Sequence, residues 1–286
     1  MSLGSYLFRK HCAKSDAQRD AGLKTPPQVE RYDGIVYGSD PKWQSLDLYC
    51  PKAQTGSLPV IVSFHGGGWV YGTKEVYQFY CMDLARRGFA VINYNYRLAP
   101  AHRFPAPIED TNQVFHWLKA HAAEYALNLS ELFAVGDSAG ALGIALYACI
   151  LTNPGYAAGY SFRAPEGIRI RGLGLNCGLY TVMDKEQSLR DFLPKKHGAE
   201  ALPLLHAVDH VTPDFPPSFV MTANADFLRH EPQHLTDVFD RLQVPYHFRM
   251  YGDDAHPLGH VFHCDIKTAE ARTVNDDEIA FFRSLL

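Results

Sequence analysis

The sequence has no excess of basic charge, no paired-cysteine spacing and no long apolar run, and each absence removes a class of protein. Lys and Arg number 27 against 31 Asp and Glu, a formal net charge of −4, so there is no electrostatic footprint for a nucleic-acid backbone. No early apolar stretch suits a secretory signal. The most apolar segment, Leu142 to Leu151, is too short to span a bilayer, so no membrane insertion is expected. The six cysteines, at 12, 50, 81, 149, 177 and 264, include no C-x-x-C pair. Free thiols in a reducing cytoplasm are the simplest expectation. No polar linker or internal repeat divides the 286 residues. Strand and helix signals alternate from about Pro59 onward, which favours a single α/β domain over residues 1–286.

The most informative stretch is Gly136-Asp137-Ser138-Ala139-Gly140. The apolar run Leu132 to Val135 before it reads as a buried strand. The run Ala141 to Leu151 after it reads as a buried helix, closed by Asn153-Pro154-Gly155. A serine is therefore held on a tight strand-to-helix turn, where glycines on both sides let the backbone bend and a helix N-terminus faces whatever the hydroxyl attacks.

Upstream, the β-branched strand Leu58 to Phe64 runs into His65-Gly66-Gly67-Gly68-Trp69. Three successive glycines are costly in chain entropy unless bare backbone must approach something closely. The N–H groups of Gly67 and Gly68, with that of Ala139, can converge on one oxyanion. A phosphate cradle would want a following Lys and Ser or Thr, and Trp69-Val70-Tyr71 supplies neither.

A serine nucleophile needs a base, and the base needs an orienting acid. Pro217 to Ala223 reads as a strand with Asp226 just beyond its end. Glu231 to Leu242 then reads as an amphipathic helix and Tyr246 to Tyr251 as another strand, followed by His256, His260 and His263. The order Ser, Asp, His suits a sheet hydrolase. Asp253 and Asp254 follow Gly252 and look like turn residues, so Asp226 is the better acid. The base stays open among the histidines. A metal site built from them with Asp265 is disfavoured, because Pro257 and Gly259 make the segment a loop, and no metal or other cofactor is expected.

Taken together, His65 to Trp69, Tyr96-Arg97-Leu98-Ala99-Pro100, Phe104-Pro105-Ala106-Pro107 with Asp110, Gly136 to Gly140, Thr222 to Arg229 and His260-Val261-Phe262 resemble the hormone-sensitive-lipase-like branch of the α/β-hydrolases. The resemblance runs from about residue 58 to the end. It implies an α/β-hydrolase fold: a mostly parallel central sheet of about eight strands, helices on both faces and a small cap. It also implies Ser138 as nucleophile, Asp226 as acid, His260 as base, an oxyanion hole of Gly67, Gly68 and Ala139, and substrate contacts by Trp69 and His65. The N-terminal part is shorter than the family's usual cap helices, and the chain departs from the family in three further places. Val261 stands where a glycine usually follows the base, the segment Asp253 to Gly259 is longer than usual, and Ala141 replaces a common glycine. His256 suits the family's shorter loop and is the alternative base.

Residues 1–25 are expected to form a helix over the active-site end, as an N-terminal cap, and residues 180–215 to form a cap or lid insertion. Asp110 is expected to anchor a loop or to cap a helix from Thr111 to Leu118, and Arg97 to tie down the loop Leu98 to Pro107. Gln28 to Tyr37 and Gln44 to Tyr49 read as an antiparallel pair at a sheet edge. The resulting expectation is a serine carboxylesterase acting on small short-chain acyl esters, without nucleic-acid partners, as a monomer or homodimer. Two other activities share such a site, arylformamidase-type amide hydrolysis and acetyl-sugar deacetylation. A third reading is a non-catalytic binding protein of the kind seen in the gibberellin receptors, which resemble this family but lack its catalytic histidine.

Overall fold

Alternation along the central strands explains the layering. Val60, Val62 and Phe64 enter one apolar cluster and Ile61 between them enters another; likewise Ile92 and Val91, and Ala134 and Phe133, divide between the two. Apolar residues at both parities demand a sheet covered by helices on both faces.

A computed structural model describes residues 1–53, 56–182, 187–196 and 198–286. Its strands are β1 (Val29–Val36), β2 (Ser45–Pro51), β3 (Leu58–Phe64), β4 (Ala90–Tyr94), β5 (Leu127–Asp137), β6 (Gly172–Asn176), β7 (Ser218–Ala223) and β8 (Tyr246–Tyr251). They form one eight-stranded sheet in the order β1-β2-β4-β3-β5-β6-β7-β8. The β1/β2 and β2/β4 pairs are antiparallel and the remaining pairs are parallel. This is the α/β-hydrolase fold.

The helices are α1 (Leu3–Asp20), α2 (Lys74–Ala85), α3 (Ala106–His121), α4 (Ala139–Thr152), α5 (Pro154–Ala157), α6 (Gln187–Phe192), α7 (Gly198–Ala201), α8 (Glu231–Leu242) and α9 (Ala269–Ser284). Residues of α2 and α9 pack on the Ile61 face, whereas α3, α4 and α8 pack on the Val60 face. Helix α4 is apolar all round and buried from Ala139 to Ile150, as a helix wedged against a sheet must be. Asn153 ends it and caps α5, its Oδ1 accepting the Tyr156 N–H at 3.0 Å. No helix among the described residues is long and apolar enough to cross a membrane.

The topology fixes where a site can lie. β3 and β5 are neighbours, but β4 lies beyond β3 and β6 beyond β5. The chain therefore leaves these two strands in opposite directions, opening a crevice between the loops at their carboxyl ends.

Helix α3 begins at Ala106, five residues before the sequence suggests, with Pro107 pre-setting its first turn. Asp110 therefore lies inside the helix and is not its cap. It anchors the preceding loop, accepting the Arg97 N–H at 2.7 Å and the Arg97 guanidinium at 2.8 Å.

Helix α1 crosses the crevice end. Arg9 donates to the carbonyls of Val70 and Ala99, Tyr71 donates to Asp16 at 2.7 Å, and the Ser2 N–H reaches Asp191 of α6 at 2.8 Å. Within the expected lid of 180–215, residues 183–186 and 197 lie outside the described residues.

Candidate active site

Ser138 is the single residue between β5 and α4, and it carries φ 54° and ψ −122°. A non-glycine residue in that region costs on the order of 1–3 kcal/mol and persists only where its surroundings enforce it. Those surroundings are visible. The Ser138 N–H donates to the Asn176 carbonyl at 3.0 Å. A Cβ on Gly136 would sit 2.4 Å from the Gly140 carbonyl oxygen, and one on Gly140 only 2.1 Å from that of Phe64. Both glycines of the motif are thus required sterically. The strain holds the serine side chain off the helix, at its N-terminus.

The loop after β3 is positioned from beneath. Asp137, buried, accepts the Gly66 N–H at 3.0 Å and the Tyr77 hydroxyl at 2.7 Å. Burial pushes its carboxyl up to about 6, against the opposing pull of the Tyr77 hydroxyl, the His260 charge and the Gly66 N–H. Gly67 and Gly68 adopt φ 114° and 59°, and a Cβ on Gly67 would lie 2.2 Å from the Tyr71 carbonyl oxygen. The N–H groups of Gly67, Gly68 and Ala139 have no acceptor among the described residues. Three unpaired amides beside a helix N-terminus form a nest for negative charge.

His65 and Trp69, the expected substrate contacts, are each held by a neighbouring ring. Neither is presented to solvent, at 1% and 2% exposure. The His65 ring stacks on Tyr96 at 4.1 Å, and its Nδ1 meets the Gly66 carbonyl at 2.8 Å. Burial pushes it down to about 4, so it is a neutral strut at pH 7. The Trp69 indole lies flat on Phe192 of α6, with centroids 4.5 Å apart and planes at 2°, tying the glycine loop to the overlying segment.

Asp226 and His260 come from the loops after β7 and β8. The His260 Nδ1 lies 2.9 Å from Asp226 Oδ1. That oxygen also accepts the Leu228 N–H at 2.8 Å, and Oδ2 accepts the Thr222 hydroxyl at 3.2 Å. Burial pushes the Asp226 carboxyl upward, but the His260 hydrogen bond, its charge and the Leu228 N–H outweigh that and hold it below its ordinary range. The carboxylate is therefore charged at neutral pH and fixes a proton on Nδ1, leaving Nε2 as the acceptor. Phe227, 71% exposed, lies 4.4 Å from the His260 ring centroid and screens one face of it.

The other candidates lie elsewhere. The His256 side chain is 83% exposed and 3.6 Å from Asp253, whose Oδ1 is occupied by the backbone N–H groups of Ala255 and His256 in a turn. His263 is buried, and burial pushes it down to about 3. Cys177 was not singled out from the sequence. Its Sγ, a carboxylate oxygen of Asp226 and a ring nitrogen of His260 lie within 4.8 Å of one another. The span would admit an ion, but Asp226 and His260 spend their facing atoms on each other. Val261 has φ 52°, which explains why glycine usually stands there: the turn requires the left-handed region.

Comparison with known proteins places these features in context. The BD-FAE family model matches residues 46–157. An esterase of Gibberella moniliformis is 32% identical over 199 residues, covering 64% of this chain and 61% of the relative. An acetyl esterase of Salmonella schwarzengrund is 29% identical over 225 residues, covering 74% of this chain and 68% of the relative. The chain spans 53–61% of the length of the first three curated relatives it matches. Among solved structures, inhibited Esterase B from Lactobacillus rhamnosis superposes with a TM-score of 0.89 at 25% identity, covering 99% of this chain and 95% of the other. A Pyrobaculum calidifontis esterase shares the fold with a TM-score of 0.78 at 22% identity, covering all of this chain and 94% of the other.

Proposed function

We propose that this chain, similar over part of its length to carboxylesterases and sharing the fold of solved esterases, hydrolyses short-chain carboxylic esters through Ser138, His260 and Asp226. The observation that carries this reading is the hydrogen bond between His260 Nδ1 and buried Asp226 at 2.9 Å, in loops at the same carboxyl edge of the sheet as the strained serine and the three amides without an acceptor among the described residues. His260 Nε2 takes the hydroxyl proton as Ser138 Oγ attacks the ester carbonyl. Asp226 holds the tautomer and offsets the imidazolium charge. The N–H groups of Gly67, Gly68 and Ala139 receive the developing oxyanion. Removing one such donor typically costs about 2.7–4 kcal/mol of transition-state stabilisation. His260 then returns the proton to the departing alcohol, and water repeats the sequence on the acyl-enzyme.

Helix α1 and the segment 180–215 act as the cap in this reading. Trp69 packed on Phe192 supports a short acyl pocket, because two stacked rings occupy space a long chain would need. The relative named as an acetyl esterase points the same way. The six free thiols fit a cytoplasmic setting. Turnover of p-nitrophenyl acetate, butyrate and decanoate by the parent protein and Ser138→Ala tests the reading. Acetate and butyrate should be the faster substrates, and the variant should lose roughly a million-fold in kcat. A variant that retains turnover, or a preference for decanoate, refutes the corresponding part.

A further inference from the structure

Cys177 follows Asn176, the residue whose carbonyl receives the Ser138 N–H. It is fully buried and adopts φ 46°. Its backbone N–H is fixed on the Met221 carbonyl of β7 at 2.8 Å. Its sulfur is within 4.8 Å of both the Asp226 carboxylate and the His260 ring, and Val261 packs against the same small cluster as Cys177, Phe219 and Met221. Burial, with the Asp226 charge, pushes the thiol well above its ordinary range. The proton therefore stays on sulfur.

The geometry points to Cys177 as a positioning residue that clasps the two catalytic loops: its S–H donates to Asp226 while its sulfur accepts the N–H of Val261. This inference rests on the function proposed above. Val261 carries a β-branched side chain at φ 52° and ψ 31°, a conformation such residues rarely adopt and that costs on the order of 1–3 kcal/mol. Its left-handed turn leads directly from His260, so any relaxation would swing the imidazole away from Asp226. A glycine would hold the turn at no steric cost; here the sulfur supplies an anchor in its place. A cysteine that merely filled the core would act as a small hydrophobe, and its replacement by serine or alanine would be judged on packing alone.

The test combines variants with one observation on the unaltered protein. Active sites are counted with a fluorophosphonate, so that kcat refers to competent molecules only. Cys177→Ala should lower kcat about tenfold, the worth of one net hydrogen bond, with KM within about twofold. Cys177→Ser, which keeps a donor and an acceptor, should recover most of that loss. In a Val261→Gly background the Cys177→Ala loss should shrink to under about threefold, because the turn then no longer needs the anchor. In the unaltered protein the Val261 amide should be protected from hydrogen exchange. The clasp is overturned by a Cys177→Ala variant at parental kcat, by serine as damaging as alanine, by an undiminished loss in the glycine background, or by free exchange at Val261. If the parent protein itself does not react with the fluorophosphonate at Ser138, the functional reading fails instead, whatever Cys177 does.

Discussion

The loop after β3 and the loop after β8 both place their key groups by bending backbone into the left-handed region, but they do so with opposite residues. In the first, Gly67, Gly68 and Gly72 carry φ values of 114°, 59° and 99°, and the strain is removed by having no Cβ. In the second, Val261 at φ 52° keeps its side chain, and the strain is held by neighbours. The first solution is written in the sequence as a motif. The second shows in the sequence only as a departure, a valine where glycine usually follows the base, and the neighbours that hold it are not written there. One loop is preorganised by what it omits, and the other by what surrounds it.

Gly67→Ala breaks the comparison most severely. A Cβ there meets the Tyr71 carbonyl oxygen at 2.2 Å, so the amides must move, and kcat/KM for p-nitrophenyl acetate should fall by about 10²–10³. Steady-state kinetics at parental activity would show that the loop is not the oxyanion site.

Beneath both loops, Asn176 donates to buried Glu278 at 2.9 Å, in space that exists because residue 174 is glycine. Burial pushes the Glu278 carboxyl from 4.5 up to about 7, against the hydrogen bonds of Asn176 and Tyr80. The folded state therefore holds the extra proton between those values, and stability falls as pH rises through that window. Glu278→Gln, neutral at every pH, should escape the fall. Its gain over the parent protein in denaturant unfolding should be near zero at pH 4.5 and on the order of 2–3 kcal/mol at pH 8. A constant difference across pH would contradict the assignment.

Asp137→Asn keeps an acceptor for the Gly66 N–H but can turn only an N–H₂ group toward the Tyr77 hydroxyl. The glycine loop should loosen, with kcat down about tenfold and KM little changed. Equal kcat would mean that the loop holds itself.

Val261→Gly is the smallest effect and runs the other way. Relief of strain should offset the lost packing and the flexibility of glycine, leaving thermal stability unchanged or raised by up to about 1 kcal/mol. A loss of several degrees in Tm would show that Val261 is not strained.

Most of the architecture was legible because it rests on local rules. Short continuous apolar runs gave the strands at Leu58 to Phe64, Leu132 to Val135 and Pro217 to Ala223, Gly136 and Gly140 marked the turn at Ser138, and Asp226 stood just past a strand end. The start of α3 was misread because Phe104 to Pro107 looks like a loop, although Pro107 seeds a helix from Ala106. Roles that depend on partners distant in sequence stayed hidden. Asp137 sits inside the serine motif, but its bond to Gly66 crosses 71 positions. Cys177 reads as one more buried thiol until the loops after β7 and β8 are brought to it. His65 and Trp69 sit in a motif associated with the site, yet Tyr96 and Phe192 claim their rings.

The most direct test of the central claim is the rate at which a fluorophosphonate modifies Ser138, mapped by peptide mass, in the parent protein and in His256→Ala, His260→Ala and His263→Ala, each checked for folding. The account predicts that Ser138 is the residue modified and that His256→Ala reacts at the parental rate. His260→Ala should react about 10²–10⁴-fold more slowly, the usual worth of a general base. Modification at another residue, or a His260→Ala protein reacting as fast as the parent, would contradict it.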